Sequence, residues 1–264
     1  MQIESILPYL ILGTVSGLLS GLFGIGGGVV IVPILLILYT AIGVDQAVMM
    51  QLAVGSSLAV ISITAVSSVR AHARYGNVEW GAMGRLAPGI VAGALLGAVV
   101  AAQLSFAAFR IGFAIFLLLL AVQIILQFKP KKTAPMPGLP GMFGVGAAIG
   151  VLSSLVGIGG GAMTVPFLAR CGLEMRRAVG TAAACGLPIA IAGMVGFLLT
   201  GWGRAELPAW STGFIYWPAV FWVGLAGFVI APLGAKLAQT LPQKVLRMLF
   251  AAFLVFVAVN MLWR

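Results

Sequence analysis

Residues 17–35 read GLLSGLFGIGGGVVIVPIL, and residues 150–168 read GVLSSLVGIGGGAMTVPFL. At an offset of 133 residues, 12 of these 19 positions are identical. The identities include the whole Gly-Ile-Gly-Gly-Gly core and a proline five residues after its last glycine. Each glycine in an apolar run costs a helix about 1 kcal/mol against alanine. Three in a row interrupt the helix and leave a bare backbone that another group can approach closely. A chain with two such interruptions at matching places has to fold as two related halves.

The surroundings of the motifs are too apolar for a soluble protein. Of 264 residues, 62% are hydrophobic and only 8% are charged, where a soluble domain carries roughly a quarter charged. Mean hydropathy is +1.17. Apolar runs of membrane-crossing length recur, as at 106–128 and 245–263. The period-2 alternation of an outer-membrane barrel is missing, so the spans are helices. Met1-Gln2-Ile3-Glu4 brings no basic region before the first apolar run, and so does not read as a cleaved signal peptide. The formal charge of +10 fits Lys and Arg gathered in cytoplasmic loops better than a nucleic-acid partner. Cys171 and Cys185 have neither the spacing nor the neighbours of a metal site and read as packing residues.

Each half divides into five apolar segments. Segment A covers about 4–22 and 138–156, B about 28–40 and 161–170, and C about 45–69 and 175–199. Segment D covers about 81–103 and 213–239, and E about 106–128 and 243–263. This gives a first repeat over 1–128, a cytoplasmic linker over 129–137 and a second repeat over 138–264, with an insertion around 200–212. The two B segments make helices of about 20 Å and 15 Å, against a hydrocarbon core of about 30 Å. B is therefore expected to stop part-way and pair with A as a re-entrant element. Irregular backbone at that depth has to be buried in protein or line a cavity.

Placing the basic clusters in the cytoplasm puts 12 of the 15 Lys and Arg inside, leaving Arg110, Arg204 and Arg264 outside. Segment C then runs inward in the first half and outward in the second, and both termini lie on the outer side. The expectation is an all-helical polytopic membrane protein of two inverted-topology repeats, with its substrate site where the repeats meet.

A helix that starts inside the membrane aims free N–H groups and the positive end of its dipole at whatever lies there, which suits an anion. The candidate substrate-binding residues are Gly24, Gly26, Gly27 and Gly28 in the first motif and Gly157, Gly159, Gly160 and Gly161 in the second. Neutral groups that would complete the shell are Ser20, Ser153 and Thr164 around the motifs, and Gln51, Ser56, Ser57 and Thr181 on the C segments. The acids Glu4, Asp45, Glu79, Glu174 and Glu206 all sit at segment ends or in loops, so no mid-span proton relay is visible. Gly157-x-Gly159-x-x-Ala162 mimics a dinucleotide fingerprint but lacks the strand before it and the acid after it. An enzyme is disfavoured, because the one histidine, His72, lies about four helical turns from Ser57 and no zinc-binding histidine cluster exists.

The segments GLFGIGGGVVIVP at 21–33 and SLVGIGGGAMTVP at 154–166 resemble the TauE/SafE family of bacterial membrane permeases, the sulfite exporters. The resemblance extends over the two-halved layout of essentially the whole chain. It implies a multi-pass protein of the bacterial inner membrane that exports sulfite or small organosulfonates, with lipid and a small anion as its partners. It implies neither a cofactor nor nucleotide hydrolysis.

Overall fold

The structure is a computed structural model that describes residues 6–23, 27–126, 134–237 and 243–263. Ten helices are present among these residues. They are α1 (Leu7–Phe23), α2 (Gly28–Ala41), α3 (Gln46–Arg74), α4 (Trp80–Gln103), α5 (Phe106–Leu126), α6 (Leu139–Val156), α7 (Gly161–Arg170), α8 (Met175–Thr200), α9 (Trp217–Leu237) and α10 (Gln243–Trp263). The expected segments are all present, five to a half. Six helices are long and apolar enough to cross a membrane: α3, α4, α5, α6, α8 and α9. The 14 residues of α2 and the 10 of α7 are about 21 Å and 15 Å long, short of a full span.

α3 and α8 form the centre. Most of α3 is buried, from Val48 to His72, whereas α5 and α10 turn residues such as Leu119 and Phe256 outward. In lipid, close backbone approach replaces the hydrophobic drive to associate, and glycines provide that approach here. Gly89, Gly93 and Gly97 of α4 meet the backbone of Phe143, Ala147 and Val151 of α6 in turn. Gly13 and Gly17 of α1 meet Val223 and Gly227 of α9, and Gly234 meets Leu18. Each half is thus locked to the other, α4 to α6 and α9 to α1.

Helix directions follow from the same contacts. Gly55 of α3 meets Phe197 of α8, and Gly193 of α8 meets Leu58 of α3. Gly180, near the start of α8, meets Asn77 just beyond the end of α3, so α3 and α8 are antiparallel. Ile63 and Ser67 of α3 meet Gly224 and Phe228 of α9 in ascending order. Glu79 touches Thr181, and Ala98 touches Gly196, so α4 ascends beside α8. The helices α1, α3 and α9 therefore run one way, and α4, α6 and α8 run the other. The basic residues Arg70, Arg74, Arg85, Arg170, Arg176, Arg177 and Lys236 gather at one end of this bundle. Arg110 and Arg204 lie at the opposite end.

Two boundaries differ from the sequence reading. Helix α3 runs on to Arg74, five residues past the expected end of segment C at about 69. Residues 213–216 are apolar enough to be counted into segment D, yet α9 begins only at Trp217. Ser211 and Tyr216 form an isolated antiparallel bridge, and Phe214 and Ile215 are fully buried. Their apolarity reflects burial rather than helix.

Candidate functional site

The two glycine turns share one backbone geometry. Gly27 caps α2 at φ 70°, ψ −11°, and Gly160 caps α7 at φ 74°, ψ −11°. These left-handed conformations strain any residue with a Cβ. The Gly27 carbonyl accepts from the N–H groups of Val30 (3.0 Å) and Ile31 (3.2 Å), and the Gly160 carbonyl from those of Met163 (3.1 Å) and Thr164 (2.9 Å). Helix geometry leaves the N–H groups of Gly28 and Val29, and of Gly161 and Ala162, without an intrahelical acceptor. Gly24 and Gly26 lie outside the described residues.

The turns meet at mid-height. The Gly157 carbonyl accepts a 2.8 Å hydrogen bond from Ser57 Oγ of α3. The same carbonyl rests against Gly28, where a Cβ would collide with it. Gly28 also faces Ile61, close to the middle of α3, while Gly159 faces Gly186 and Gly160 faces Ile189, close to the middle of α8. Between them lies a cavity of about 10 Å³, bordered by Ser20, Ser68, Gly159 and Gly186, room for about one water. Ser68, Ser153 and Thr164 are buried with hydroxyls that have no hydrogen-bond partner among the described residues. Among the described residues the buried polar side chains are serines, threonines, Gln51 and His72, with no Asp, Glu, Lys or Arg.

The structure thus brings together Gly27, Gly28, Gly157, Gly159, Gly160, Gly161, Ser20, Ser57, Ser153 and Thr164. Three candidates lie elsewhere. Gln51 donates through Nε2 to the carbonyls of Ala101 (3.3 Å) and Leu104 (3.0 Å) and so closes off the end of α4. Ser56 Oγ accepts from Tyr39 Oη (3.1 Å) and from the Tyr216 N–H (2.9 Å). Thr181 Oγ1 accepts from the Glu79 N–H (2.8 Å).

Sequence reading passed over Ser68. Nothing marks one serine on a 29-residue helix except its register: it lies on the face of Ile61 and Ala65, which line the same cavity. His72, assigned from sequence to the cytoplasmic stretch, turns inward from it and is 5% exposed, beside the Gly21 backbone. At the basic end, a wider cavity of about 440 Å³ is bordered by Glu79, Arg85, Cys171, Glu174 and Arg177. Arg177 and Glu79 form an ion pair across its rim. Cys185 is buried as expected of a packing residue, but Cys171 is only half-buried. Burial pushes the Cys171 thiol above its ordinary pKa, with Arg170 pulling the other way.

Comparison with known proteins agrees with a membrane carrier. The model of the family described as Sulfite exporter TauE/SafE matches residues 9–261. A probable membrane transporter protein of Haemophilus influenzae is 38% identical over 258 residues, covering 97% of each chain. A probable membrane transporter protein of Methanocaldococcus jannaschii is 29% identical over 94% of this chain and 92% of its own. YtnM of Bacillus subtilis, also a probable membrane transporter protein, is 30% identical over 96% of this chain and 81% of its own. No solved structure matches the chain.

Proposed function

The chain belongs to the sulfite exporter TauE/SafE family of membrane transporters, and from that premise we propose that it exports a small sulfur oxyanion or sulfonate through the meeting point of its two glycine turns. The observation that carries this reading is the pair of helix starts, α2 and α7, capped by left-handed glycines at the same depth and facing a neutral, hydroxyl-lined interior. Free N–H groups and helix dipoles solvate an anion without a counter-charge that would hold it too tightly. Ser20, Ser68, Ser153 and Thr164 supply further donors.

The opposed directions of α1 and α6, α3 and α8, and α4 and α9 support an inverted-topology repeat, split at 1–128 and 138–264. The basic end then faces the cytoplasm, and the termini face outward across an inner membrane. An anion leaving a cell gains about 2.3 kcal/mol per charge per 100 mV of interior-negative potential, so export needs no acidic coupling residue.

The test is flux in proteoliposomes under a potassium-set potential, with sulfite, sulfate, thiosulfate and small sulfonates offered singly. Saturable, potential-driven movement of one of them is the expected result. Movement of carboxylates alone, with none of the sulfur anions carried, overturns the sulfur assignment.

A further inference from the structure

The two ends of the bundle carry the same contact. At the end away from the basic residues, the segment entering α9 lies on α3. The Phe214 carbonyl sits over Gly55, where a Cβ would collide with it, and the Tyr216 N–H donates to Ser56 Oγ at 2.9 Å. Helix α9 then begins at Trp217. At the basic end, the segment entering α4 lies on α8. The Asn77 carbonyl sits over Gly180, again where a Cβ would collide, and the Glu79 N–H donates to Thr181 Oγ1 at 2.8 Å. Helix α4 then begins at Trp80.

Each contact therefore has a glycine followed directly by a hydroxyl residue. Each uses a carbonyl and, two residues on, an N–H, and then a tryptophan that opens the next helix. The two glycine–hydroxyl pairs are not counterparts in the repeat: along α3 and α8, Ala47-Val48 and Gly55 match Ala178-Val179 and Gly186 at an offset of 131, which sets Gly180 opposite Met49. The likeness thus arises from what the positions do rather than from duplication alone. From Ser56 to the end of α3 is about 27 Å of helix, so the contacts bracket the central site.

We propose that these contacts are the two gates of the transport cycle, released in alternation, a reading that rests on the chain being a transporter. Both are closed in this structure, and the space left between them holds about one water. The glycine lets a backbone seal directly onto the helix. A single neutral hydrogen bond contributes only about 1 kcal/mol net, small enough to break once per cycle. The sealing segments also connect to the moving parts. Each runs straight into α4 or α9, which are locked through glycines to α6 and α1, the helices that lead into the glycine turns.

The gates are reinforced differently. At the outer gate the Tyr39 hydroxyl joins Ser56, and the Tyr39 and Tyr216 rings meet edge-on at 5.7 Å. At the basic end the Glu79–Arg177 pair supports the seal and borders the wide cavity, which becomes the vestibule when that gate opens.

The test uses the full chain in sided membrane vesicles, with Cys171→Ser and Cys185→Ala removing native thiols. Ala183→Cys, bordering the central cavity, serves as the reporter for a membrane-impermeant methanethiosulfonate. Thr181→Val is expected to raise labelling about fivefold from the basic side only, and Ser56→Ala from the opposite side only. Thr181→Ser and Ser56→Thr are expected to restore the parent rates. Gly180→Ala and Gly55→Ala, which push the seal off by bulk, should open the same ends as their neighbours and stand in for a hydroxyl variant that misfolds. Labelling that rises from both sides equally, from the wrong side, or not at all overturns the gates. Side-specific labelling in vesicles that carry no sulfur anion keeps the gates and removes the substrate reading. Flux with unchanged labelling removes the gates alone.

Discussion

Gly27 and Gly160 share a conformation but not their surroundings. A Cβ on Gly27 would stand 2.6 Å from the Ser16 carbonyl, a backbone atom that cannot swing away. A Cβ on Gly160 would press on the terminal methyl of Ile189, which can. Both substitutions carry about 1–2 kcal/mol of left-handed backbone strain, and only the first adds an unrelievable clash. Gly27→Ala is thus expected to lower the thermal midpoint of the purified protein more than Gly160→Ala, and both to slow flux. An equal loss, or a larger one for Gly160→Ala, contradicts this account. The glycines were legible in sequence because duplication and spacing mark them. The hydroxyls were only half legible: polarity inside a span says that Gln51, Ser56, Ser57 and Thr181 need partners, not which ones. Ser57 found the Gly157 carbonyl, while Ser56 and Thr181 found backbone N–H groups at opposite ends.

Among the elements, the tightest dependence lies between α4 and α6. Gly93 faces the Ala147 backbone with no room for a Cβ, whereas Gly112 of α5 is exposed and meets nothing within 4 Å among the described residues. Overpacking a tight contact costs about 1–3 kcal/mol or more, while a lipid-facing leucine costs little. Gly93→Leu should therefore abolish the monodisperse peak in detergent gel filtration, and Gly112→Leu should retain it. A retained Gly93→Leu peak would mean that α4 and α6 are not locked. Element boundaries were largely readable from apolar length, because helix is the one open form that satisfies its own backbone in lipid. The start of α9 was not, since Phe214 and Ile215 are apolar for a different reason: they are buried in the segment that enters α9 against α3.

For the molecule as a whole, the sorting of charge to one end makes a sided prediction. Arg74 and Arg204 are both exposed, at opposite ends of the bundle. In a background without native cysteines, Arg74→Cys should react with an impermeant maleimide only from the cytoplasmic side and Arg204→Cys only from outside. Reaction of both from one side would refute the arrangement of α3 and α8. The pairing of α4 with α6 and of α9 with α1 was not legible in sequence, because glycine spacing announces close packing without naming the partner. The neutral lining of the interior reaches further than affinity. A carrier whose path holds no ionised side chain moves no charge when it returns empty. Voltage then acts on the loaded limb alone. A steady current divided by the chemical flux would read out the charge moved with each passenger, one elementary charge for a monoanion carried alone and two for a dianion.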